Sequence, residues 1–227
     1  MVLRDPQHIK NVLDSTNSHW TDTEVSRRVF GTPEAALELY ADIGISEGDK
    51  TMFEHVRIVL PRKYLTGAAL EPLTEAYMST LSRNMHDKMF QVGSWTLIED
   101  FWSFFQQVIT RCTIQTLFGS AFLKQYPGFI KDYWAFEDAI QAFVPGMPQI
   151  LSSAAHEVPR DRLLQGIEKW LKVYHSGSEF AKIEQDDPIC DDYRGSKFIQ
   201  ETDAMFAKMN GIDVRARAAE MLSIMQW

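Results

Sequence analysis

The stretch that decides the fold is GIDVRARAAEMLSIMQW, residues 211–227. Asp213 can accept a hydrogen bond from a backbone N–H one turn later, so we predict that it caps a helix. Apolar residues then recur at helical spacing: Val214, Ala218, Met221, Leu222 and Met225, with Ile224 and Trp227 widening the face. A helix that is apolar over so much of its circumference belongs deep inside a domain. No Gly, Asn or Pro ends it, so we interpret it as a central helix cut partway, in a fragment.

The composition excludes several classes of protein. Of the 227 residues, 45% are hydrophobic and 12% aromatic, which suffices for a substantial core. A formal net charge of −8 argues against a nucleic-acid partner, because phosphate binding needs clustered Lys and Arg. We expect no membrane anchor in this chain, because no apolar run in it is long enough to span a bilayer. Two cysteines do not make a disulfide framework, so an intracellular location is expected.

The rest of the chain reads as amphipathic helices, and no segment predicts a strand. The expected fold class is therefore mainly α. One predicted helix is opened by Pro72 and carries Leu73, Tyr77, Leu81, Met85 and Met89 on one apolar face. Another has a capping box at Thr96 and Glu99 and ends at Gly119. Further helices are predicted over about Phe129–Phe143, from near Pro159, and over Phe198–Met209.

Motifs that carry chemistry are scarce. The six histidines are scattered without a His-Glu-x-x-His pattern, and there is no P-loop, Gly-x-Ser-x-Gly or Gly-x-Gly-x-x-Gly. No catalytic residue and no metal site is predicted. Cys112 lies in an apolar helical run and is expected to be a buried small hydrophobe. Cys190 lies in DDPICDD, whose carboxylates are expected to raise its pKa.

A family resemblance adds to this picture. The segment HVRIVLPRKYLTGAALEPLTEAYMSTL, residues 55–81, resembles the region after the B–C loop of cytochrome P450 monooxygenases, most of all the branch around prostacyclin synthase and the sterol 7-hydroxylases. DPQHIKNVL resembles the B helix of the family, FEDAIQAFVPGMP the F helix and the break after it, and PRDRLLQGIEKWL the G helix. The stretch at 211–227 resembles the start of the long I helix.

The resemblance implies one incomplete helical domain over residues 1–227, a partial cytochrome P450 fold from about the B helix to the start of the I helix, truncated at both ends. Residues 1–50 would hold the B helix and B–C region, 51–119 the C to E helices, 120–175 the F and G helices, and 193–227 the H helix and the I-helix start.

The resemblance also implies a haem site. Many members carry Trp-x-x-x-Arg on the C helix, with both side chains at the haem propionates. Here Phe53 stands at the Trp position and Arg57 at the Arg position, with His55 between them as a further haem contact. A guanidinium suits a carboxylate well. The substrate pocket of the family is implied at Phe143, Met147 and Trp227.

The implied parent inserts one atom of O₂ into an apolar substrate such as a sterol or fatty acid, with electrons from an NADPH-dependent reductase. An endoplasmic reticulum anchor is one option for that parent. The family holds its iron with a Cys in a Phe-x-x-Gly-x-x-x-Cys-x-Gly setting, which neither Cys112 nor Cys190 has, so this chain alone is expected to be inactive. The alternative is a non-catalytic helical module that binds an apolar ligand or a protein partner.

Overall fold

The computed structural model describes residues 23–41, 45–85, 97–140, 154–177, 182–184 and 186–226. Within these ranges the chain is almost entirely helical, which confirms the predicted mainly α fold. The α-helices are α1 (Glu34–Ala41), α2 (Glu47–Glu54), α3 (Leu60–Leu65), α4 (Glu71–Met85), α5 (Phe101–Phe118), α6 (Ser120–Gln125), α7 (Phe129–Ala139), α8 (Ala154–Tyr174), α9 (Lys197–Phe206) and α10 (Val214–Ile224).

Shorter elements connect them. Wide π-type turns cover Ser26–Phe30 and His55–Val59, and a 3₁₀ turn covers Gly67–Leu70. The prediction that no strand forms is wrong at one place: β1 (Cys190–Asp191) pairs antiparallel with β2 (Gly195–Ser196). Two residues per strand are too few for an alternating pattern to show in the sequence.

Side-chain caps fix where the helices begin. Asp213 accepts a hydrogen bond from the Ala216 N–H at 2.8 Å, as predicted for the start of α10. Thr96 lies outside the described residues, but residues 97–100 are not helical, so the predicted helix start at Thr96 is wrong. Helix α5 begins at Phe101, and the Asp100 carboxylate accepts from the Ser103 N–H. An Asp at this position satisfies the free N–H groups as well as a Thr does, so the sequence offered two equivalent starts.

Helix α8 begins at Ala154, five residues before the predicted start near Pro159. Pro159 lies inside the helix, where it lacks the N–H that would donate to a carbonyl four residues back. The predicted helix start near Pro159 is therefore wrong, because this proline is accommodated within the first turns of the helix.

The core surrounds α8 and α10, which pack against each other. The side chain of Trp170 on α8 is fully buried, makes edge-to-face contacts with Phe118 and Phe122, and donates from Nε1 to the Tyr193 carbonyl at 2.9 Å. On α10, the buried residues are Ala216, Ala218, Ala219, Met221 and Leu222. Their burial confirms that the last helix lies inside the domain.

A second, smaller cluster joins α4 to α5. Val108 and Cys112 of α5 are buried against Tyr77, Leu81 and Met85, which share the predicted apolar face of α4. The two clusters together set the positions of the helices that line the cavities below.

Candidate functional site

The three residues implied as haem contacts lie on one continuous helical segment formed by α2, the π-type turn at His55–Val59 and α3. We call it the Arg57 segment. The turn exists because Pro61 has no N–H to donate to the Arg57 carbonyl, while the Leu60 N–H reaches back five residues to the His55 carbonyl. Wide turns of this kind occur often at functional sites. The local sequence thus places a distortion at Arg57.

The side chains of these residues differ in burial. Phe53 is buried in the main core, His55 is half-buried and Arg57 is exposed. The Arg57 guanidinium lies 5.5 Å from the centre of the Phe53 ring, within the range of a cation–π contact. The ring of Phe53 therefore packs against the Arg57 side chain and restricts its position. Their four-residue spacing puts both on one face.

Of the three, Arg57 lines a cavity of about 190 Å³, which we call the Arg57 cavity. It lies between the Ser26–Phe30 turn, the Arg57 segment, α9 and α10. Its polar and charged lining consists of Ser26, Arg57, Thr202, Glu220 and Ser223, and its apolar lining includes Val56, Phe198, Phe206 and Ile224.

The Thr202 hydroxyl in the wall of this cavity is buried and has no hydrogen-bond partner among the described residues. Buried hydroxyl groups usually have partners, so this one marks a polar spot in the wall. The volume is below the roughly 300–1,000 Å³ of ordinary ligand pockets. The Arg57 cavity can therefore hold a small group and not a whole macrocycle, and its lining carries one positive side chain, Arg57, and one negative side chain, Glu220.

Neither cysteine is suited to hold an iron as a thiolate. Cys112 is fully buried, and burial raises the pKa of its thiol despite a hydrogen bond from Asn84 Nδ2 at 3.2 Å. Burial likewise raises the pKa of the Cys190 thiol to about 11. The direction predicted for Cys190 is confirmed, but its cause is burial and not the neighbouring carboxylates. Cys112 has no exposed surface through which an iron could reach its sulfur, and in the metal-free chain burial favours the neutral thiol at both positions.

A buried charged network lies apart from the Arg57 cavity and was missed in the sequence. His175 and Asp203 are fully buried, and His175 Nδ1 lies 2.9 Å from Asp203 Oδ2, while Nε2 lies 3.0 Å from the Arg194 carbonyl oxygen. Arg217 Nε donates to Asp203 Oδ1 at 2.8 Å. This network links the end of α8 to α9 and α10.

Burial opposes ionisation of Asp203, but the hydrogen bonds and charges of His175 and Arg217 outweigh it. The pKa of the Asp203 carboxyl therefore lies below its ordinary value. The signal in the sequence was an Asp in the middle of a strongly amphipathic helix, at a position that faces the core. Its two partners are 28 residues before it and 14 after it, so spacing alone could not identify them.

Three of the implied positions cannot be placed: Phe143, Met147 and Trp227 lie outside the described residues. In the described part of the chain, no group of three or more His, Cys, Asp or Glu residues could hold a metal ion. No helix among the same residues is long and apolar enough to cross a bilayer.

Comparison with known proteins identifies two relatives. Over 229 aligned residues, 99% of this chain, it is 24% identical to the cytochrome P450 monooxygenase efuG of Hormonema carpetanum, of which it covers 39%. Over 182 residues, 77% of this chain, it is 25% identical to the cytochrome P450 monooxygenase fsoE of Humicola fuscoatra, of which it covers 30%. No family model matches the chain. No solved structure matches it either.

These similarities support a relationship to cytochrome P450 monooxygenases, and the mainly α fold agrees with part of such a protein. The chain spans less than two-fifths of the length of either relative. Neither relative is named as a prostacyclin synthase or a sterol hydroxylase, so that finer resemblance stays a prediction.

Proposed function

We propose that this chain is part of a haem-thiolate monooxygenase of the cytochrome P450 class. The observation that carries the proposal is the similarity to efuG over 99% of the chain. The burial of α10, whose sequence resembles an I-helix start, and the helical state of the Arg57 segment, whose sequence resembles a C helix, support it. The whole protein would insert one oxygen atom of O₂ into an apolar substrate such as a sterol or fatty acid.

Arg57 is the residue we assign to a haem propionate. Its side chain lines a cavity, and its guanidinium lies over the ring of Phe53, which holds it in one region. A guanidinium suits the geometry of a carboxylate. His55, two residues earlier, is a second contact to the same group. When bound, haem supplies the redox chemistry. The residues of this chain would bind and orient its carboxylate edge.

The chain alone is proposed to be inactive as a monooxygenase. Neither Cys112 nor Cys190 stands in the Phe-x-x-Gly-x-x-x-Cys-x-Gly setting that supplies the thiolate in this class, and burial raises the pKa of both thiols. The apolar substrate, the NADPH-dependent reductase, the intracellular location and an anchor in the endoplasmic reticulum membrane are proposals for the whole protein. A substrate pocket at Phe143, Met147 and Trp227 belongs to the same proposal.

Haemin titration tests the assignment of Arg57. We expect Arg57→Gln to weaken haemin binding by about tenfold, the effect of losing one charge-assisted hydrogen bond. The matched control is Arg62→Gln, an exposed Arg on α3 that does not line the Arg57 cavity. Equal haemin affinity in both variants would contradict the assignment.

A reduced-CO spectrum of the same haemin complex tests the missing thiolate. We expect no red-shifted band of thiolate ligation in the wild-type chain or in Cys112→Ser and Cys190→Ser. Such a band in the wild type, lost in one of the two variants, would show that this cysteine binds iron and that the chain is competent on its own. A non-catalytic binding module remains the alternative function if haemin does not bind while an apolar ligand does.

A further inference from the structure

A groove of about 530 Å³ separates α4 and the end of α5 from the segment 188–193 around β1. Its volume falls in the range of ordinary small-molecule pockets, roughly 300–1,000 Å³. It shares no lining residue with the Arg57 cavity. We call it the α4–hairpin groove.

The helical wall of the groove carries hydrogen-bond donors. Ala76, Thr80 and Arg83 follow one face of α4, because positions four and three residues apart are neighbours on a helix. No carboxylate of the described residues lies within 4.0 Å of the Arg83 guanidinium. Within the described residues, Arg83 is thus a positive charge on the groove without a carboxylate beside it.

Two residues of α5 add to this wall. The side-chain oxygen of Gln115 already accepts from Asn84 Nδ2 at 2.8 Å, which leaves the Gln115 amide N–H groups to donate elsewhere. Thr116 is buried, and its hydroxyl has no partner among the described residues. A helical Thr has two accessible χ1 rotamers, so this hydroxyl can turn toward an occupant of the groove.

The opposite wall carries carboxylates that are held in place. Asp191 Oδ1 accepts from the backbone N–H groups of Tyr193 and Arg194 at 2.8 and 2.7 Å. Ser120 Oγ donates to Asp192 Oδ1 at 2.9 Å. Arg194 Nε also lies 4.0 Å from Asp191 Oδ1. Within the described residues, the hydrogen bonds of both carboxylates involve Oδ1, which leaves Oδ2 of each to meet a ligand. The groove therefore has a fixed negative side facing a positive side.

Close backbone packing keeps this wall from moving toward α4. Gly119, at the end of α5, has φ 83°, and a Cβ added to it would lie 2.5 Å from the Asp192 carbonyl oxygen. The Ala121 N–H donates to that carbonyl at 2.8 Å. The carboxylates are thus anchored to α5 and α6, and Arg83 is anchored to α4, so the opposite charges stay apart.

We propose that the α4–hairpin groove binds a small zwitterion, an α-amino acid or a molecule with the same pair of charged groups. Its carboxylate lies at Arg83 and the Gln115 amide, and its ammonium group lies at Asp191 and Asp192. A simple anion would meet the two carboxylates, and a metal cation would meet Arg83. The lining also includes Ala76, Pro188 and Ile189, which favour an apolar side chain on the ligand.

Calorimetric titration of the intact chain tests the proposal with L-phenylalanine and L-leucine as probes. We expect saturable 1:1 binding of the zwitterions. The methyl ester lacks the carboxylate and the N-acetyl derivative lacks the ammonium group, so each should bind at least about tenfold more weakly. Equal binding of all three forms, or no saturable binding of either amino acid, would overturn the proposal.

Variants locate the binding to the groove. Arg83→Gln and Asp192→Asn should each weaken binding of L-phenylalanine by about tenfold or more. Arg62→Gln, an exposed Arg outside the groove, should leave it unchanged. Arg83 and Asp192 are exposed, so both variants are expected to keep the wild-type melting curve. Unchanged affinity in both groove variants would place the amino acid elsewhere and refute this assignment.

Discussion

At the scale of single residues, Asp203 has the most demanding environment in the described part of the chain. Its carboxylate is fully buried, yet the pKa is lowered because His175 and Arg217 both bind it. An ionised group in this position is stable only while its partners are in place. The packing of α8, α9 and α10 against one another thus depends on the Asp203 carboxylate.

Asp203→Asn tests this link. We expect the free energy of unfolding to fall by about 3–5 kcal/mol, because the partly buried Arg217 loses its counter-charge and the buried His175 loses its ionic partner. Urea denaturation followed by circular dichroism measures the change. The control is Asp186→Asn at an exposed position, which should shift the free energy of unfolding by less than about 0.5 kcal/mol. Equal effects of the two variants would contradict the role given to Asp203.

The same residue predicts a dependence of stability on pH. The pKa of Asp203 in the folded chain lies below the ordinary value of 3.8, so the unfolded chain binds a proton first as the pH falls. The stabilisation from Asp203 is therefore complete above about pH 4 to 5 and is lost as the pH drops toward the folded-state pKa.

Urea midpoints of the wild type and Asp203→Asn, measured from pH 7 to pH 3, check this sign. The difference between the two proteins should be largest near neutral pH and should shrink in acid. A difference that grows as the pH falls would mean that the folded-state pKa is raised and not lowered.

At the scale of elements, the junction of α5 with the β1–β2 hairpin depends on backbone approach. Gly119 and Gly195 both have positive φ, and a Cβ on Gly195 would lie 2.4 Å from the Leu117 carbonyl oxygen. Side chains at these positions would therefore push the hairpin away from α5. By allowing this close approach, the two glycines fix the position of the hairpin, which forms one wall of the α4–hairpin groove.

Gly119→Ala should destabilise the fold by about 3 kcal/mol or more, from the positive φ and from the overlap with the Asp192 carbonyl. Gly177→Ala is the matched control, because Gly177 has φ 86° and no atom within 4 Å of an added Cβ. It should cost only about 1–2 kcal/mol, the penalty of the backbone conformation. Thermal unfolding measures the loss of stability in each variant. Similar losses in the two variants would show that the overlap with the Asp192 carbonyl does not contribute to the destabilisation.

Elements defined by local chemistry could be predicted from the sequence. The Asp213 cap of α10, the end of α5 at Gly119 and the apolar face of α4 were all identified, because each depends on residues within a few turns. The start of α5 at Phe101 and the start of α8 at Ala154 were not, because several residues near each boundary could serve equally well.

At the scale of the whole molecule, the sites depend on contacts between distant segments. The Arg57 residue was identified through family resemblance, but its cavity is built from the Ser26–Phe30 turn, α9 and α10 as well. The network of His175, Asp203 and Arg217 and the α4–hairpin groove likewise join separate helices. Helical periodicity and capping residues describe one segment at a time. The network and the α4–hairpin groove could therefore not be predicted from these sequence patterns.

The similarity to efuG and fsoE concerns the whole molecule too, because it extends along 99% and 77% of this chain and covers less than two-fifths of each relative. The central claim is that the chain is part of a cytochrome P450 whose iron-binding cysteine lies elsewhere in the protein. Haem chemistry in this class requires that thiolate.

Sequencing of the native transcript through the codon for Trp227 tests this claim most directly. The account predicts that the reading frame continues and encodes a cysteine in a Phe-x-x-Gly-x-x-x-Cys-x-Gly setting. A stop codon directly after Trp227 would contradict it, and the assignment of Arg57 to a haem propionate would then be withdrawn.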